Sequence, residues 1–411
     1  MSEASLFRAD QSVASLPAIA RRGGRLERAT ARAARPRVLL VSALISMPYR
    51  VMRCAIDAGA DVYVLGNAMS ACLAHSRYCK KFVATDVPIT GEADPQLANE
   101  INRWVSWFGI DMVLAGDVQA TRSLIAMRGK IDANLFPMPT LEQFDRLNNK
   151  WFFTQMCGEL GIKTPRSRTI ADAEQLRAEL IAGRIALPAI AKPINHDGSL
   201  GVIRLDPDNA LAQTVKIDYG PIIVQEFIEG RDIGASIYCE RGEIKAFIAH
   251  ELRRATYRSL DDPNIYRTLA KIASHMGIDG VFNFDMRLAP DDTVHYLECN
   301  PRFFFKINLS MLAGVNFVRM GLNATGRAVT APKPGAAVRM PKALAEAVLK
   351  APWTITRRDL KMLWYLWGDP ISSLRETLGI DWEYAEAMAS QRHFIDAPTE
   401  QPAADNKRKA A

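Results

Sequence analysis

The chain reads as a mixed α/β (α+β) protein, and three observations lead there. A buried-strand run, Arg37–Val41, is followed by a helical stretch over Tyr49–Ala58 that stops at Gly59, and then by a second run, Asp61–Gly66. That is a β-α-β unit, whose parallel strands imply a doubly wound layer. Downstream of Ala189 the apolar runs are short and succeed one another closely, as antiparallel strands do. Finally, Val281–Arg302 alternates polar and apolar residues on two arms around Ala289-Pro290-Asp291-Asp292-Thr293, a hairpin pattern.

Taken in order, the first turn, Ser42-Ala43-Leu44, lacks the GxGxxG pattern, which argues against a dinucleotide site. A further strand, Asp111–Ala115, leads through Gly116-Asp117 into a helix from about Gln119. Ligands of parallel layers gather at the carboxyl ends of strands, so Asp117 is a substrate-site candidate; capping the next helix is the alternative. Pro137 and Pro139 mark a boundary before a helix that carries Lys150. Ala189–Pro193 is a strand, and Asn195–Val202 is a glycine-serine loop placed directly after Lys192. Backbone N–H groups in such a loop can approach phosphate oxygens, although most short Gly-Ser loops are only turns. Pro221–Ile228 is the next strand, and Ile233–Tyr238 and Glu243–Ala249 form an antiparallel pair.

On the hairpin, Phe282, Phe284 and Met286 point one way, and Asn283, Asp285 and Arg287 the other. On the return arm Tyr296, Glu298 and Asn300 share a face opposite Leu297, Cys299 and Pro301. If the hairpin is centred between Asp291 and Asp292, Asp285 faces Glu298 and Asn283 faces Asn300. Like charges opposed across a ladder repel. A divalent, oxygen-liking cation would offset that repulsion; a solvated acidic face is the alternative.

Composition excludes several classes. No apolar run approaches the ~18 residues a membrane span needs. The net charge of +7 belongs to the two tails. Residues 1–37 hold eight arginines against three acids, and residues 405–411 hold three basic residues against one acid. A neutral body argues against a nucleic-acid footprint. The six cysteines are scattered without a CxxC pair, which fits a reducing cytoplasm rather than a zinc or disulfide framework. The Arg-, Ala- and Ser-rich N-terminus lacks the apolar core of a secretory signal.

The order of these motifs resembles the ATP-grasp superfamily over roughly residues 37–326, the carbamoyl-phosphate-synthetase-like branch above all. The resemblance rests on Asn149-Lys150-x-x-Phe153 with Gly161-Ile162-Lys163-Thr164-Pro165, on Ala191-Lys192-Pro193, and on the GSLGV loop. It continues through Gln225-Glu226-Phe227-Ile228-Glu229-Gly230-Arg231-Asp232 and through Asp285 with Glu298-x-Asn300-Pro301-Arg302. Ser76-Arg77-Tyr78-Cys79 and the stretch Asn300–Asn316 further resemble predicted carboxylate–amine ligases. The resemblance implies an ATP-grasp fold with an N-terminal Rossmann-like domain. Residues 1–36 would be a disordered basic tail, 37–138 the Rossmann-like domain, 139–228 the lid subdomain and 229–330 the large subdomain with the metal site. Residues 331–398 would form a helical extension and 399–411 a disordered tail.

It also implies roles. Lys150 and Lys192 would neutralise ATP phosphates, with Gly198, Ser199 and Gly201 in a lid. Gln225, Glu226, Phe227 and Ile228 would line the adenine, with Glu226 accepting from its amino group, and Asp232 would bond the ribose, where a longer Glu is common in relatives. Asp285, Glu298 and Asn300 would hold one or two Mg²⁺, with Mn²⁺ the alternative. Arg302, beside Asn283 and Lys192, would serve the reacting groups, and Arg253 and Arg254 are further substrate-side candidates. The implied reaction makes an acyl phosphate from a small-molecule carboxylate and ATP and passes the acyl group to an amine. Phosphotransfer without ligation and a non-catalytic ATP-binding regulator are the alternatives. Beyond Pro332 and Pro334, Arg339–Lys350 reads as helical. Arg357–Trp367 places Leu360, Leu363, Trp364 and Trp367 at helical spacing beside basic residues. Packing of those aromatics onto the body is the expectation, with membrane contact through 351–370 the alternative.

Overall fold

The computed structural model describes residues 35–44, 46–195, 200–323 and 328–378. The expected tails and the loop glycine and serine, Gly198 and Ser199, lie outside the described residues. Three sheets organise the chain. The first holds β1 (Arg37–Ser42), α1 (Ser46–Asp57), β2 (Asp61–Gly66), β3 (Cys79–Ala84), α2 (Pro95–Phe108), β4 (Met112–Ala115), α3 (Val118–Ala126) and β5 (Asn134–Leu135). Its strands run parallel in the order β3-β2-β1-β4-β5. Val38 and Leu40 are buried on one face, Leu39 and Val41 on the other, as a sheet covered by helices on both sides requires.

Two helices, α4 (Leu141–Asn148) and α5 (Lys150–Glu159), come after Pro139, so Lys150 opens the second rather than sitting inside one long helix. The small sheet contains β6 (Ser167–Ile170), α6 (Ala173–Ile181), β7 (Ala189–Pro193), β8 (Ile203–Leu205), α7 (Ala210–Gln213) and β9 (Ile222–Glu226), ordered β6-β9-β7-β8 and antiparallel. The large sheet contains β10 (Arg231–Glu240), β11 (Glu243–Arg253), β12 (Thr256–Leu260), α8 (Pro263–Met276), β13 (Gly280–Leu288) and β14 (Val294–Asn300). Then come α9 (Ile307–Ala313), α10 (Phe317–Leu322), β15 (Ala337–Arg339), α11 (Pro341–Lys350), α12 (Arg357–Trp367) and α13 (Pro370–Leu378). The large sheet's order is β14-β13-β10-β11-β12-β15.

Alternation gives the large sheet two different faces. Ile233, Ala235, Ile237, Phe282, Phe284 and Met286 pack against α5 and α8. On the other face, Tyr238, Ala246, Ile248 and Val281 join Val38, Leu40, α1 and α9 in one core. Further along that same face the residues turn polar, and there the candidate site lies.

Three expectations need correction. Tyr296 does not share the face of Glu298: it is buried in the core with Phe284 and Cys299. The ladder pairs Asp285 with Glu298 but Met286 with Tyr296, so an irregularity between Asp285 and Met286 leaves Leu297 over and inverts the parity of the return arm. Arg339 is in a strand, because residues 337–339 pair with β12, and the helix starts at Pro341. Leu360, Leu363, Trp364 and Trp367 of α12 do not pack inward: all four are exposed, and the buried residues of the helix are Asp359, Met362 and Tyr365.

Candidate active site

Each residue of the site is placed by backbone first. Asn149 caps α5 by accepting from the N–H groups of Trp151 and Phe152, both at 3.0 Å. The Lys150 N–H donates to the Ile194 carbonyl at 3.2 Å, which ties the start of α5 to the end of β7, where Lys192 sits. Lys192 lies on the face of β7 that, by alternation and register, also carries Gln225 of β9. Across from them β13 and β14 set Asp285 opposite Glu298 and Asn283 opposite Asn300, as the alternation predicted.

The side chains then meet. Glu298 Oε2 receives Lys192 Nζ at 3.4 Å and Lys150 Nζ at 3.7 Å, and both lysine side chains are only 7% exposed. A polar chain runs alongside. Ser236 Oγ donates to Asn283 Oδ1 at 2.9 Å, and Asn283 Nδ2 donates to Asp285 Oδ1 at 3.2 Å. Asn300 Nδ2 donates to Asp285 Oδ2 at 3.0 Å, and Arg302 Nη2 donates to Asn300 Oδ1 at 2.9 Å. Burial, then the charge of Glu298, pushes the Asp285 carboxyl up to about 6. Burial also acts to raise Glu298, but Lys192 and Lys150 outweigh it and hold that carboxyl below its usual range. The pair is thus one carboxylate neutralised by lysines and one that is not.

That imbalance is what a cation would relieve. Among the described residues no three His, Cys, Asp or Glu side chains gather, so a metal here would draw on amide as well as carboxylate oxygen. Asp285, Glu298 and Asn300 supply such an all-oxygen set, which suits Mg²⁺. Asn300 now offers Asp285 its amide nitrogen and Arg302 its oxygen, so binding would require its amide to turn.

The other predicted residues are more dispersed. Glu226 falls on the face of β9 opposite Gln225, and its carboxylate accepts two bonds from Arg166, at 2.9 and 3.1 Å. Gln225 is buried and donates to Ser167 at 3.0 Å. Phe227 lies under the guanidinium of Arg204, 4.1 Å from its ring centroid, and Arg287 is at 5.2 Å. Arg287 also donates to the Ile228 carbonyl at 2.8 Å and pairs with Asp232, so it joins three predicted nucleotide residues. Gly201 adopts φ +72°, and a Cβ there would come within 2.9 Å of both Pro193 and Tyr219; only glycine suits the position. Tyr219 donates to its carbonyl. Arg253 and Arg254 lie at the exposed β11–β12 turn. Asp117 caps α3, accepting from Ala120, and also receives the N–H groups of Ala43 and Leu44 at 2.6 and 3.0 Å. Ser76 and Arg77 both donate to Asp369, so that motif fastens the start of α13.

Four residues escape sequence reasoning. Register places Ser259, His250, Gly234, Asp285 and Glu298 in one row across the sheet. Gly234 leaves room for the His250 ring: a Cβ there would be 2.8 Å from its Cε1. His250 is buried and stacks on Tyr257 at 4.5 Å, and among the described residues its Nδ1 has no hydrogen-bond partner. Burial, and then the Lys306 ammonium, pushes its imidazole down to about 3. Lys306 also acts on Asp285. The alternation of 232–238 and 246–252 could have assigned Ser236, Gly234 and His250 to the face of Asn283; nothing local singles out Lys306. A cleft beside Arg302 is lined by Ala115, at the carboxyl end of β4, with Thr121, Phe136, Met138 and Val281.

Comparison with known proteins converges on the same region. Residues 218–343 match the family model described as ATP-grasp in the biosynthetic pathway with Ter operon. The biotin carboxylase domain of 2-oxoglutarate carboxylase from Hydrogenobacter thermophilus, solved with MgADP and bicarbonate, superposes with TM-score 0.56 at 14% identity over 71% of both chains. The L-amino acid ligase of Bacillus licheniformis gives TM-score 0.53 at 15% identity, over 70% of this chain and 73% of that one. N5-carboxyaminoimidazole synthase from Aspergillus clavatus, solved with ADP and its ribonucleotide, gives 0.56 at 13% identity, over 77% and 87%. Residues 218–343 thus match an ATP-grasp family model, and the chain around them has the ATP-grasp fold.

Proposed function

We propose that the protein is an ATP-dependent ligase that activates a small-molecule carboxylate as an acyl phosphate and joins it to an amine. The observation that carries this reading is the convergence of two buried lysines on Glu298, directly across the ladder from Asp285. Two ammonium groups beside two carboxylates form a site that takes a polyphosphate and its cation together. The solved relatives with ADP or MgADP support the same use of nucleotide.

In this reading Lys150 and Lys192 leave Glu298 for the phosphate oxygens, and Asp285, Glu298 and Asn300 would hold Mg²⁺, which would neutralise charge on the phosphates. Gln225, Phe227 and the backbone of Glu226–Ile228 line the adenine, since the Glu226 carboxylate is already bonded to Arg166. Asp232 and Arg287 stand toward the ribose. A carboxylate oxygen attacks the γ-phosphorus, the bond to the β–γ bridging oxygen breaks, and ADP leaves. An amine then adds to the acyl carbon, loses a proton and expels inorganic phosphate, leaving an amide. Arg302 presents a planar fork to the charge on the reacting phosphoryl or carboxylate, and Asn283 holds Asp285. Positioning and charge neutralisation suffice, with no protein nucleophile.

The test is phosphate release from Mg-ATP over mixed pools of carboxylic acids and amines, with mass analysis of the condensed product. ADP and phosphate are expected. AMP and pyrophosphate would overturn the acyl-phosphate route, and ADP formed without any nucleophile would point to phosphotransfer.

A further inference from the structure

The C-terminal helices carry a surface that the proposed catalysis does not use. On α12, Leu360, Trp364 and Trp367 keep i, i+4, i+7 spacing along its outward face; Trp364 is 73% and Trp367 75% exposed. On α13, Ile371, Leu374 and Leu378 repeat the pattern at i, i+3, i+7 and are exposed as well. Trp353, in the turn before α12, is 81% exposed. A helix in water normally turns such a stripe inward.

The charges are sorted the same way. The acids of this region face the body: Asp359 is buried against Arg339, Asp369 is buried against Ser76 and Tyr49, and Glu376 pairs with Arg50. The exposed charges on α12 are Arg357 and Lys361, and among the described residues neither they nor Arg358 form an ion pair. Outward, the helix therefore offers tryptophan, leucine and positive charge, with no outward carboxylate between Arg357 and Trp367. Tryptophan favours the membrane–water boundary, where its apolar ring and N–H find separate environments, and basic residues beside it favour anionic headgroups. A second copy fits less well, because a two-fold interface joins this face to itself and α12 has no outward carboxylate there to meet Arg357 and Lys361.

We propose that the outward face of α12, continued by α13, docks the protein on an anionic lipid surface. Arg339, Tyr49 and Ser76, with Arg53 donating to the Tyr365 carbonyl, fasten these helices to the body, and Trp364 and Trp367 enter the headgroup boundary.

Flotation of the full chain with phosphatidylcholine vesicles, with and without phosphatidylglycerol, tests this. The chain is expected to float with the phosphatidylglycerol vesicles and to be released by salt. Trp364→Ala and Trp367→Ala should each weaken binding about tenfold, as removing one partly buried aromatic does. Arg357→Gln and Lys361→Gln should each cost about fivefold on the anionic vesicles. All four side chains are exposed, so circular dichroism and Tm should stay at wild-type values. Failure of the wild-type chain to float overturns the proposal. So does flotation that survives the double tryptophan change, which would assign binding to the basic tails. Self-association lost in that double variant would assign the face to a second copy. Flotation only after removal of residues 379–411 would assign it to the chain's own C-terminus. Either result also overturns the proposal.

Discussion

Replacing Glu298 with glutamine keeps the shape of the side chain but leaves two buried ammonium groups without their carboxylate. Glu298 sits 3.4 Å from Lys192 and 3.7 Å from Lys150. At an effective dielectric of ~20, each contact is worth about 4–5 kcal/mol before desolvation. Desolvation offsets most of that, and breaking a buried pair costs about 3 kcal/mol at the low end of its range, fitting for a glutamate about a quarter exposed. Asp285 recovers about 1 kcal/mol, because only part of its upward shift comes from Glu298 and the larger part from burial. The net is a loss of about 2 kcal/mol, or a Tm lower by about 4 °C.

Nucleotide separates this cost from a general packing defect. ATP without metal supplies anionic oxygens to the two ammonium groups that have lost Glu298, so Glu298→Gln should gain more Tm from metal-free ATP than wild type does. Adding Mg²⁺ should then stabilise wild type further and leave the variant unmoved. ATP turnover should fall about 10²–10³-fold, the usual size for removing one element of a charge-stabilising site. Thermal shifts in a grid of ATP and Mg²⁺, with phosphate release read in parallel, give all three numbers. A folded Glu298→Gln protein with wild-type turnover and an undiminished Mg²⁺ response would refute the assignment of this carboxylate to the metal.

Because the folded Asp285 carboxyl is raised to about 6, it favours the native state below the ordinary carboxylate range, and that contribution is lost as pH rises through 6. The nucleotide-free protein should therefore lose stability over that window, Mg²⁺ with ATP should bind more tightly across it, and Asp285→Asn should flatten both profiles. Gly234→Ala puts a Cβ 2.8 Å from a ring held against Tyr257, so Tm should fall by an amount equal to about 1–3 kcal/mol. In the double variant with His250→Ala the two losses should be clearly less than additive. Asp359→Asn leaves Arg339 beside a neutral amide under α12, where about 2–3 kcal/mol should be lost. Limited proteolysis should then cut between α11 and α12 before the sheets.

Much of this was legible because alternation and motif order are local properties. The opposition of Asp285 to Glu298 came from period-two patterning, and the two lysines from the order of motifs that resembles the ATP-grasp superfamily. Tyr296 was misplaced because a tyrosine suits either face of a strand, so an extra residue leaves no mark on the apolar pattern. The outward tryptophans were missed for a different reason. Helix α12 has two apolar faces, Met362 with Tyr365 and Trp364 with Trp367. Distant partners select between them: Arg339 takes Asp359, and Arg53 lies over the Tyr365 ring at 3.8 Å. His250 belongs to no motif and nothing within Asn300–Asn316 singles out Lys306; only sheet register and the β14–α9 connection bring them toward Asp285.

The irregularity at Leu297 has a use of its own. Near the turn the ladder keeps one phase, with Leu288 across from Val294; at the acids it keeps another, with Asp285 across from Glu298. Tyr296 and Cys299, three residues apart, both reach the core because Leu297 takes up the odd position between them, while Glu298 stays across from Asp285. Deleting Leu297 would restore strict alternation and leave that pairing of acids in place. The tip, residues 289–293, lies beyond the last pair of the ladder and is a place where the chain can be cut, tagged or grafted at little cost to the chemistry, and the bulge can lose its extra residue without parting the acids.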